Sequence, residues 1–411
     1  MTRRDTLRNF LLFLAGSPLV RAQKEIPYSP ERQPSLDELV NVFEFEPVAK
    51  GKVPKHNYDF IAGGVDDEWT LRRNREAFSR ITLRPRMLVD VSKLDLSLEL
   101  FGQRIEMPIV IAPTAGHQQA HPDGELATIR AAGAVKTIMA VSTNSSYPID
   151  KISQAATGPW WFQLYAGPDW EGTRERVERA VANGAKAVCL TVDDHYSSHR
   201  ERLLRNRLGT WGPPGAPPPR QARRREPTAP QPYRLQPHFT RQLTWSFFEE
   251  LNFYAKVPVL IKGILTAEDA KLAVERGAAG IIVSNHGGRY LETAPATIDV
   301  LPGIVEAVAG KIPVLIDGGF RRGTDVLKAL ALGAKAVLVG RPPLWGLSAF
   351  GQEEVVRVLE LLQTELARAM GLSGRPNLAS IDRTLVAIEV GHGSSLVRNT
   401  LDGQGRSHVP R

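Results

Sequence analysis

The stretch 280–292, G-I-I-V-S-N-H-G-G-R-Y-L-E, combines a short apolar run with side chains that could do chemistry. The run, rich in β-branched residues, predicts a buried strand of a parallel sheet covered by helices. In such folds, chemistry takes place just past the carboxyl ends of the strands. There the chain places an imidazole that could act as a base, His286, and a permanent cation, Arg289. A turn that merely closes a strand needs neither group, so we interpret this stretch as part of a catalytic site.

Two later glycine-rich segments indicate a site for a phosphate group. D-G-G-F-R lies at 317–321 and G-R at 340–341, each directly after an apolar run. Bare glycine N–H groups can approach phosphate oxygens closely, and parallel barrels often hold phosphate with the loops after strands seven and eight. Arg321 and Arg341 would add bidentate charge. The alternative is that the two adjacent glycines merely serve a tight turn.

Lys262 ends another apolar run, where a buried ammonium is costly unless it faces an acceptor or an anion. With Ser142, Gln163 and Thr191, at the ends of other runs, it could line a flat heteroaromatic ring anchored by the phosphate. The N1–C2 carbonyl edge of a flavin fits, because a lysine there stabilises the negative charge of the reduced ring. A Schiff-base lysine is the rival interpretation, weakened by the hydrogen-bonding groups around it.

The elements that must position these groups follow a regular rhythm. Apolar runs alternate with segments of helical spacing, and the phrase N-G-A-K-A-V-C-L at 183 recurs in similar form at 276 and 332. Eight near-equivalent units favour a closed (β/α)8 TIM barrel over an open doubly wound sheet. We place the barrel at 107–390, after an N-terminal helical lead at 23–106. The predicted strands are 108–113, 137–143, 161–165, 187–193, 258–262, 280–285, 313–317 and 336–341.

The connection after strand four departs from this rhythm. Its Pro/Arg-rich stretch, 208–230, cannot bury enough apolar surface to order itself. Because it leaves the catalytic end of a barrel strand, we predict a mobile lid, with a disordered insert as the alternative and contact with an anionic membrane surface as a weaker one. His195 and His199 in the same connection raise a metal site as an alternative. No third nitrogen ligand is evident, so we predict no metal.

The two ends of the chain are predicted to lie outside the barrel. Arg3 and Arg4 precede a short apolar segment, and V-R-A at 20–22 offers small residues where a signal peptidase reads. We therefore predict a twin-arginine export signal at 1–22 and a periplasmic or otherwise exported protein. A frayed basic helix on a cytoplasmic protein is the alternative. Residues 391–411 are predicted to form a flexible tail.

Composition limits the remaining classes of protein. The chain has 411 residues, 42% of them hydrophobic and 23% charged, which is typical of a soluble globular protein. The net charge is +8, but the arginines form no basic stripe interleaved with aromatic residues, which argues against a nucleic-acid partner. The single cysteine, Cys189, excludes an intrachain disulfide and lies in an apolar run typical of a buried thiol.

Six motifs resemble blocks of one known family. They are S-N-H-G-G-R, I-K-G, D-G-G-F-R-R-G-T-D, V-G-R-P, I-A-P-T-A and F-Q-L-Y. They resemble the FMN-dependent 2-hydroxy-acid oxidases and dehydrogenases, such as glycolate oxidase and flavin L-lactate dehydrogenases, from about residue 58 to about residue 385. The resemblance implies FMN-dependent oxidation of an L-2-hydroxy acid to the 2-oxo acid. It also implies oxygen, a quinone or a cytochrome as electron acceptor, and a homo-oligomer.

The resemblance also assigns roles to single residues. His286 matches the base, and Asp193 matches the carboxylate that stabilises the protonated imidazole. Arg200 and Arg289 match the clamp on the substrate carboxylate, assisted by Tyr165. The residues expected to contact FMN form a larger set. They are Pro113, Thr114, Ala115, Ser142, Gln163, Thr191, Lys262, Ser284, Asp317, Gly318, Gly319, Arg321, Gly340 and Arg341.

Several positions near the substrate depart from the family's pattern. Phe60 replaces a tyrosine whose hydroxyl touches the substrate carboxylate, and Asn144 stands where a tryptophan is common. The segment 194–199 is rewritten, and Tyr290 and Glu292 replace the usual glutamine and aspartate. These changes predict a substrate bulkier than glycolate. They leave open a flavin enzyme that acts on an amine or a peptide-derived substrate, and a flavin- or phosphate-binding protein without turnover.

Overall fold

The computed structural model describes residues 35–208 and 243–389. The predicted export signal, nearly all of the predicted lid and the predicted tail lie outside the described residues. Those three predictions are therefore not tested by the structure.

The lead in front of the barrel contains both helices and strands. Its α-helices are α1 (Phe45–Lys52), α2 (Lys55–Ala62) and α3 (Trp69–Glu76), and its strands are β1 (Ile81–Leu83), β2 (Leu98–Leu100) and β3 (Gln103–Ile105). Ahead of α1 the chain forms two short 3-10 turns, Leu36–Glu38 and Val42–Glu44, with a break between them. The break has a local cause, because the Asn41 side chain accepts a hydrogen bond from the N–H of Phe43.

Eight parallel strands then close into a barrel, with β11 pairing to β4. The predicted (β/α)8 barrel is confirmed, and each predicted run overlaps one of its strands. The strands are β4 (Ile109–Ile111), β5 (Met139–Ser142), β6 (Trp160–Leu164), β7 (Val188–Thr191), β8 (Val259–Ile264), β9 (Gly280–Val283), β10 (Val314–Ile316) and β11 (Ala336–Val339).

Helices surround the barrel between and after these strands. They are α4 (Gly124–Ala134), α5 (Ile149–Ala155), α6 (Trp170–Ala182), α7 (Glu201–Leu208), α8 (Trp245–Tyr254), α9 (Ala267–Glu275), α10 (Thr297–Val308), α11 (Gly323–Ala331), α12 (Arg341–Phe350) and α13 (Gln352–Leu372). None of the helices in the described parts of the chain is long and apolar enough to cross a membrane. A last strand, β12 (Val386–Ile388), pairs with β1 and ties the end of the described chain to the lead.

Two layers of apolar side chains hold the barrel together. Inward-facing residues such as Leu260, Ile282 and Leu338 form an inner cluster, while their neighbours along each strand pack under the helices. The β2–β3 hairpin joins the inner cluster, and its Phe101 ring packs edge-on against Trp161 at 5.6 Å between centroids. Cys189 is fully buried in this cluster, as predicted, and burial raises the pKa of its thiol to about 12.

Candidate active site

A cavity of about 620 Å³ lies where the barrel strands end, a size typical of small-molecule sites. Its wall is built from the loops that follow the strands, with Phe60 and Ile61 of α2 closing one side. Most of the predicted site residues line it. These are Pro113, Thr114, Ala115, Ser142, Tyr165, Arg200, Lys262, His286, Arg289, Asp317, Gly318, Gly319, Arg321, Gly340 and Arg341.

Four predicted residues, Gln163, Thr191, Ser284 and Asp193, lie behind this wall instead. Ser142 donates to the Gln163 side-chain oxygen at 3.0 Å, and the Gln163 amide donates to the Thr191 hydroxyl at 2.9 Å. Gln163, Thr191 and Ser284 are almost fully buried. Their part is to hold Ser142 and Lys262 in place at the cavity surface.

His286 is held in the orientation that a base requires. Its Nδ1 lies 2.7 Å from Asp193 Oδ1, and its Nε2 lies 3.2 Å from the hydroxyl oxygen of Tyr165. Because a carboxylate can only accept, Nδ1 carries the proton and Nε2 is left as the acceptor that can take a proton. The backbone of His286 is in the left-handed region, with φ of 57°, and its neighbours Gly287 and Gly288 are left-handed too.

The charges around His286 keep it neutral before reaction. Burial lowers its pKa, and Lys262 and Arg289 lower it further against the opposing effect of Asp193. Burial alone would raise the pKa of Asp193, but His286 and Lys262 outweigh it and the net shift is downward. The pair is therefore a neutral imidazole beside an ionised carboxylate, which is the arrangement of a general base.

Lys262 is a buried ammonium with two partners. Its Nζ donates to Ser284 Oγ at 2.9 Å and lies 3.5 Å from Asp317 Oδ2. Burial would lower the pKa of Lys262, but Asp317 and Asp193 raise it above the ordinary value. A Schiff base forms only from a neutral amine, so this environment argues against the Schiff-base alternative.

The two adjacent glycines are required by the fold as well as by any phosphate. Gly318 and Gly319 have φ of 104° and 82°, and a Cβ on Gly319 would stand 2.2 Å from the carbonyl oxygen of Asn74 in α3. The tight-turn alternative therefore accounts for these glycines on its own. The arginines beside these glycines are therefore the residues that indicate an anion site.

Arg321 and Arg341 are partly buried at the cavity wall. Arg341 donates to the backbone carbonyls of Ile61, Gly63 and Gly287 at 2.9–3.0 Å. Burial, and then the nearby Arg321, lower the pKa of Arg341 to about 10. Two partly buried guanidinium groups that repel each other fit a bound phosphate, which would neutralise both.

Arg200 and Arg289 flank Phe60 in the same cavity. Their guanidinium carbons lie 5.4 Å and 5.1 Å from the centre of the Phe60 ring. Arg289 also donates to the carbonyls of Phe60 and Gly63 at 2.8 Å and 3.1 Å. Burial, then Arg200 and Arg341, hold the pKa of Arg289 well below its usual value. This concentration of positive charge suits a carboxylate ligand.

A family model described as FMN-dependent dehydrogenase matches residues 49–388. The chain belongs to the FMN-dependent dehydrogenase family. A glycolate oxidase from Oryza sativa subsp. indica is 45% identical over 363 residues, which cover 85% of this chain and 97% of that one. A peroxisomal (S)-2-hydroxyacid oxidase from Arabidopsis thaliana is also 45% identical and covers 86% of this chain and 98% of its own length.

Solved structures of mandelate oxidase share the fold. The structure with 3,3-difluoro-2-hydroxy-3-phenylpropionic acid is 38% identical with a TM-score of 0.76, and covers 86% of this chain and 100% of that one. The structure with (S)-2-phenylpropionate is 38% identical with a TM-score of 0.75, and covers 86% and 99%. The predicted family and the predicted cofactor, FMN, are confirmed.

The residues of this FMN-dependent dehydrogenase family member fit FMN. Asp317 Oδ1 is buried and has no hydrogen-bond partner among the described residues, so it can accept from a ribityl hydroxyl. Arg321 and Arg341 would hold the phosphate. Lys262 and Ser142 would face the ring, where the ammonium stabilises negative charge on the reduced flavin.

Some contributions to the site could not be read from the sequence. Arg176 of α6 and Asp194 also line the cavity, and neither was assigned a role from the sequence.

Glu292 proves structural, because it accepts a hydrogen bond from the N–H of Thr70 in the first turn of α3 at 3.1 Å. His199 Nδ1 lies 2.9 Å from Asp66 Oδ1. Within residues 35–208 and 243–389, no group of three or more His, Cys, Asp or Glu side chains could hold a metal ion.

Proposed function

We propose that this protein oxidises an L-2-hydroxy acid to the 2-oxo acid with FMN, and that oxygen is the final electron acceptor. One observation carries the proposal: His286, paired with Asp193 behind it, lines the same cavity as Arg200 and Arg289. A base and a carboxylate clamp in one cavity are what the α-carbon of a 2-hydroxy acid needs. The relatives named as oxidases of glycolate, 2-hydroxy acids and mandelate support the substrate class and the oxygen acceptor.

The residues of the chain divide the work between binding and proton transfer. Arg200 and Arg289 bind the substrate carboxylate and thereby place the α-carbon, which supplies the proximity contribution to the rate. His286 Nε2 accepts the proton that the substrate loses, and Tyr165 lies within hydrogen-bond distance of the same nitrogen. Asp193 stabilises the imidazolium that results. Bound FMN supplies the acceptor for the two electrons.

The proposal is tested by mixing the yellow holoprotein anaerobically with L-lactate, glycolate and L-mandelate. At least one should bleach the flavin absorbance, while the D-enantiomers of lactate and mandelate should not. Admission of air should restore the colour with one hydrogen peroxide formed per turnover. Bleaching by amines alone would refute the substrate class, and reoxidation only by a quinone or a cytochrome would refute the oxygen acceptor.

We further propose that the protein is exported by the twin-arginine route. The support is the pair Arg3 and Arg4 in front of a short apolar segment. The homo-oligomer and the contact with a membrane surface stay predictions. The first follows from the family resemblance and the second from the arginines between 220 and 225.

A further inference from the structure

Two of the positions that depart from the family's pattern meet in the cavity. Asp194 is 2% exposed, lines the cavity and accepts a hydrogen bond from Tyr290. Tyr290 lines the same wall, and its ring packs edge-on against His286 with 4.6 Å between centroids. Asp194, in the rewritten loop after β7, and Tyr290, which follows Arg289, therefore lie together beside His286.

The roles proposed above do not require Asp194. Asp193 is the partner of His286, and Asp317 is the carboxylate nearest the Lys262 ammonium. Asp194 thus adds a third carboxyl group to the site, besides Asp193 and Asp317.

The groups that face Asp194 keep it largely protonated at neutral pH. Burial raises its pKa to about 8, with the adjacent Asp193 adding to the shift against Lys262 and the hydrogen bond from Tyr290. Tyr165 is a further titratable group close enough to interact with it. A protonated carboxyl group is both a donor and an acceptor of hydrogen bonds.

Asp194 is almost fully buried at this wall, so a substrate side chain that contacts it meets a carboxyl group with little access to water. An apolar side chain would leave the carboxyl group desolvated without restoring a hydrogen bond, which is costly. A hydroxyl group would restore both donor and acceptor interactions. An ammonium group would meet the positive charges of Lys262, Arg200 and Arg289, which border the same cavity.

We propose that Asp194, held by Tyr290, is a specificity-determining residue that favours 2-hydroxy acids with a hydroxyl group on the side chain. The inference rests on the proposed function, since it assumes that a 2-hydroxy acid occupies the cavity. The expected substrate is then not only bulkier than glycolate but also carries a polar side chain.

The test uses the FMN-loaded full chain and three matched ligand pairs. Each pair consists of a 2-hydroxy acid and its 2-oxo acid. The three 2-hydroxy acids are 2-hydroxybutanoate, which ends in a methyl group, 2,4-dihydroxybutanoate and 4-amino-2-hydroxybutanoate. Dissociation constants of the 2-oxo acids are read from the perturbation of the flavin spectrum, which needs no turnover. Rates of flavin reduction are measured separately with the 2-hydroxy acids.

Wild-type protein should bind the 4-hydroxy ligand about 3- to 10-fold more tightly than the methyl ligand, the range of one neutral hydrogen bond. Asp194→Leu should abolish that ratio, and Asp194→Asn, which keeps a donor and an acceptor, should retain part of it. Asp66→Asn is the matched control, because it neutralises a carboxylate outside the cavity lining and should leave the ratio unchanged.

An unchanged ratio in Asp194→Leu would overturn the inference, as would a wild-type preference for the methyl or the amino ligand. A failure of the proposed function looks different, because it appears as no flavin reduction with any of the 2-hydroxy acids. The binding ratios remain measurable in that case. Retention of FMN by each variant, read from its yellow colour, excludes misfolding as the cause.

Discussion

The proton on His286 is controlled from both sides of its ring. Asp193 fixes Nδ1 as the protonated nitrogen, while burial and two cations lower the pKa of the ring. Replacing His286 by Ala should leave FMN binding intact, since the FMN-facing groups Lys262 and Arg341 do not depend on it. The rate of flavin reduction should fall about 100-fold or more, the usual scale for a general base. Stopped-flow absorbance measures both, and wild-type-like reduction would show that another group takes the proton.

The pH dependence of flavin reduction should report the lowered pKa of His286. Only neutral imidazole can accept the proton, so the rate constant should rise with pH through a limb below about 6.5, the ordinary pKa of histidine, and then level off. Asp193 raises the pKa of His286, so Asp193→Asn should move this limb to lower pH. It should also lower the plateau, because the imidazolium loses its partner. A limb that moves to higher pH would contradict the assigned pairing.

Phe60 lies between Arg200 and Arg289, the two arginines that we propose bind the substrate carboxylate. A hydroxyl group added there by Phe60→Tyr could donate one neutral hydrogen bond, worth about 0.5–1.5 kcal/mol or roughly 2- to 12-fold in affinity. Dissociation constants for glycolate and lactate should improve by that factor, and FMN affinity should stay the same. If neither acid binds better in the variant, the hydroxyl does not reach the carboxylate and the substrate sits elsewhere in the cavity.

The barrel strands could be predicted from the sequence, whereas the strands of the N-terminal lead could not. A strand buried on both faces needs a continuous apolar run, so all eight barrel strands left a signal. The strands β1 to β3 have three residues each, too few to show alternation. The residues of the site were likewise predicted only in part. Residues at strand ends were predicted, whereas the carbonyls of Ile61 and Gly63 that hold Arg289 and Arg341 lie far away in sequence.

The loop after β10 depends on α3 packing against it, and this gives a test with a matched control. Gly319→Ala would combine an unfavourable left-handed backbone with a clash against the Asn74 carbonyl. Gly310→Ala has the same backbone problem, with φ of 72°, but no atom within 4 Å of the added methyl. Gly310→Ala should cost about 1 kcal/mol of unfolding free energy, and Gly319→Ala about 1–3 kcal/mol more. Gly319→Ala should also lose FMN, measured by flavin fluorescence after gel filtration, and Gly310→Ala should not.

The expected cofactor site is built from parts of the chain that are far apart in sequence. The lead supplies Phe60 and Ile61, the barrel loops supply Arg321 and Arg341, and β12 pairs with β1 near the end of the described chain. We therefore expect FMN to bind only after the lead and the barrel have packed together. A secretion route that carries unfolded chains would separate the protein from the compartment in which it acquires FMN, whereas the twin-arginine route carries folded proteins.

We therefore expect the first 22 residues to be removed on export. In the native cell the mature protein should begin near Gln23 and carry FMN outside the cytoplasm. Substituting Lys for both Arg3 and Arg4 should leave a yellow, full-length protein in the cytoplasm, because only the export step is lost. Arg8→Lys is the matched control, since it alters an arginine of the same segment outside the pair. Cell fractionation with N-terminal sequencing measures each outcome. A wild-type protein that keeps Met1 or Thr2 and stays with the cytoplasmic fraction would show that this segment is not an export signal.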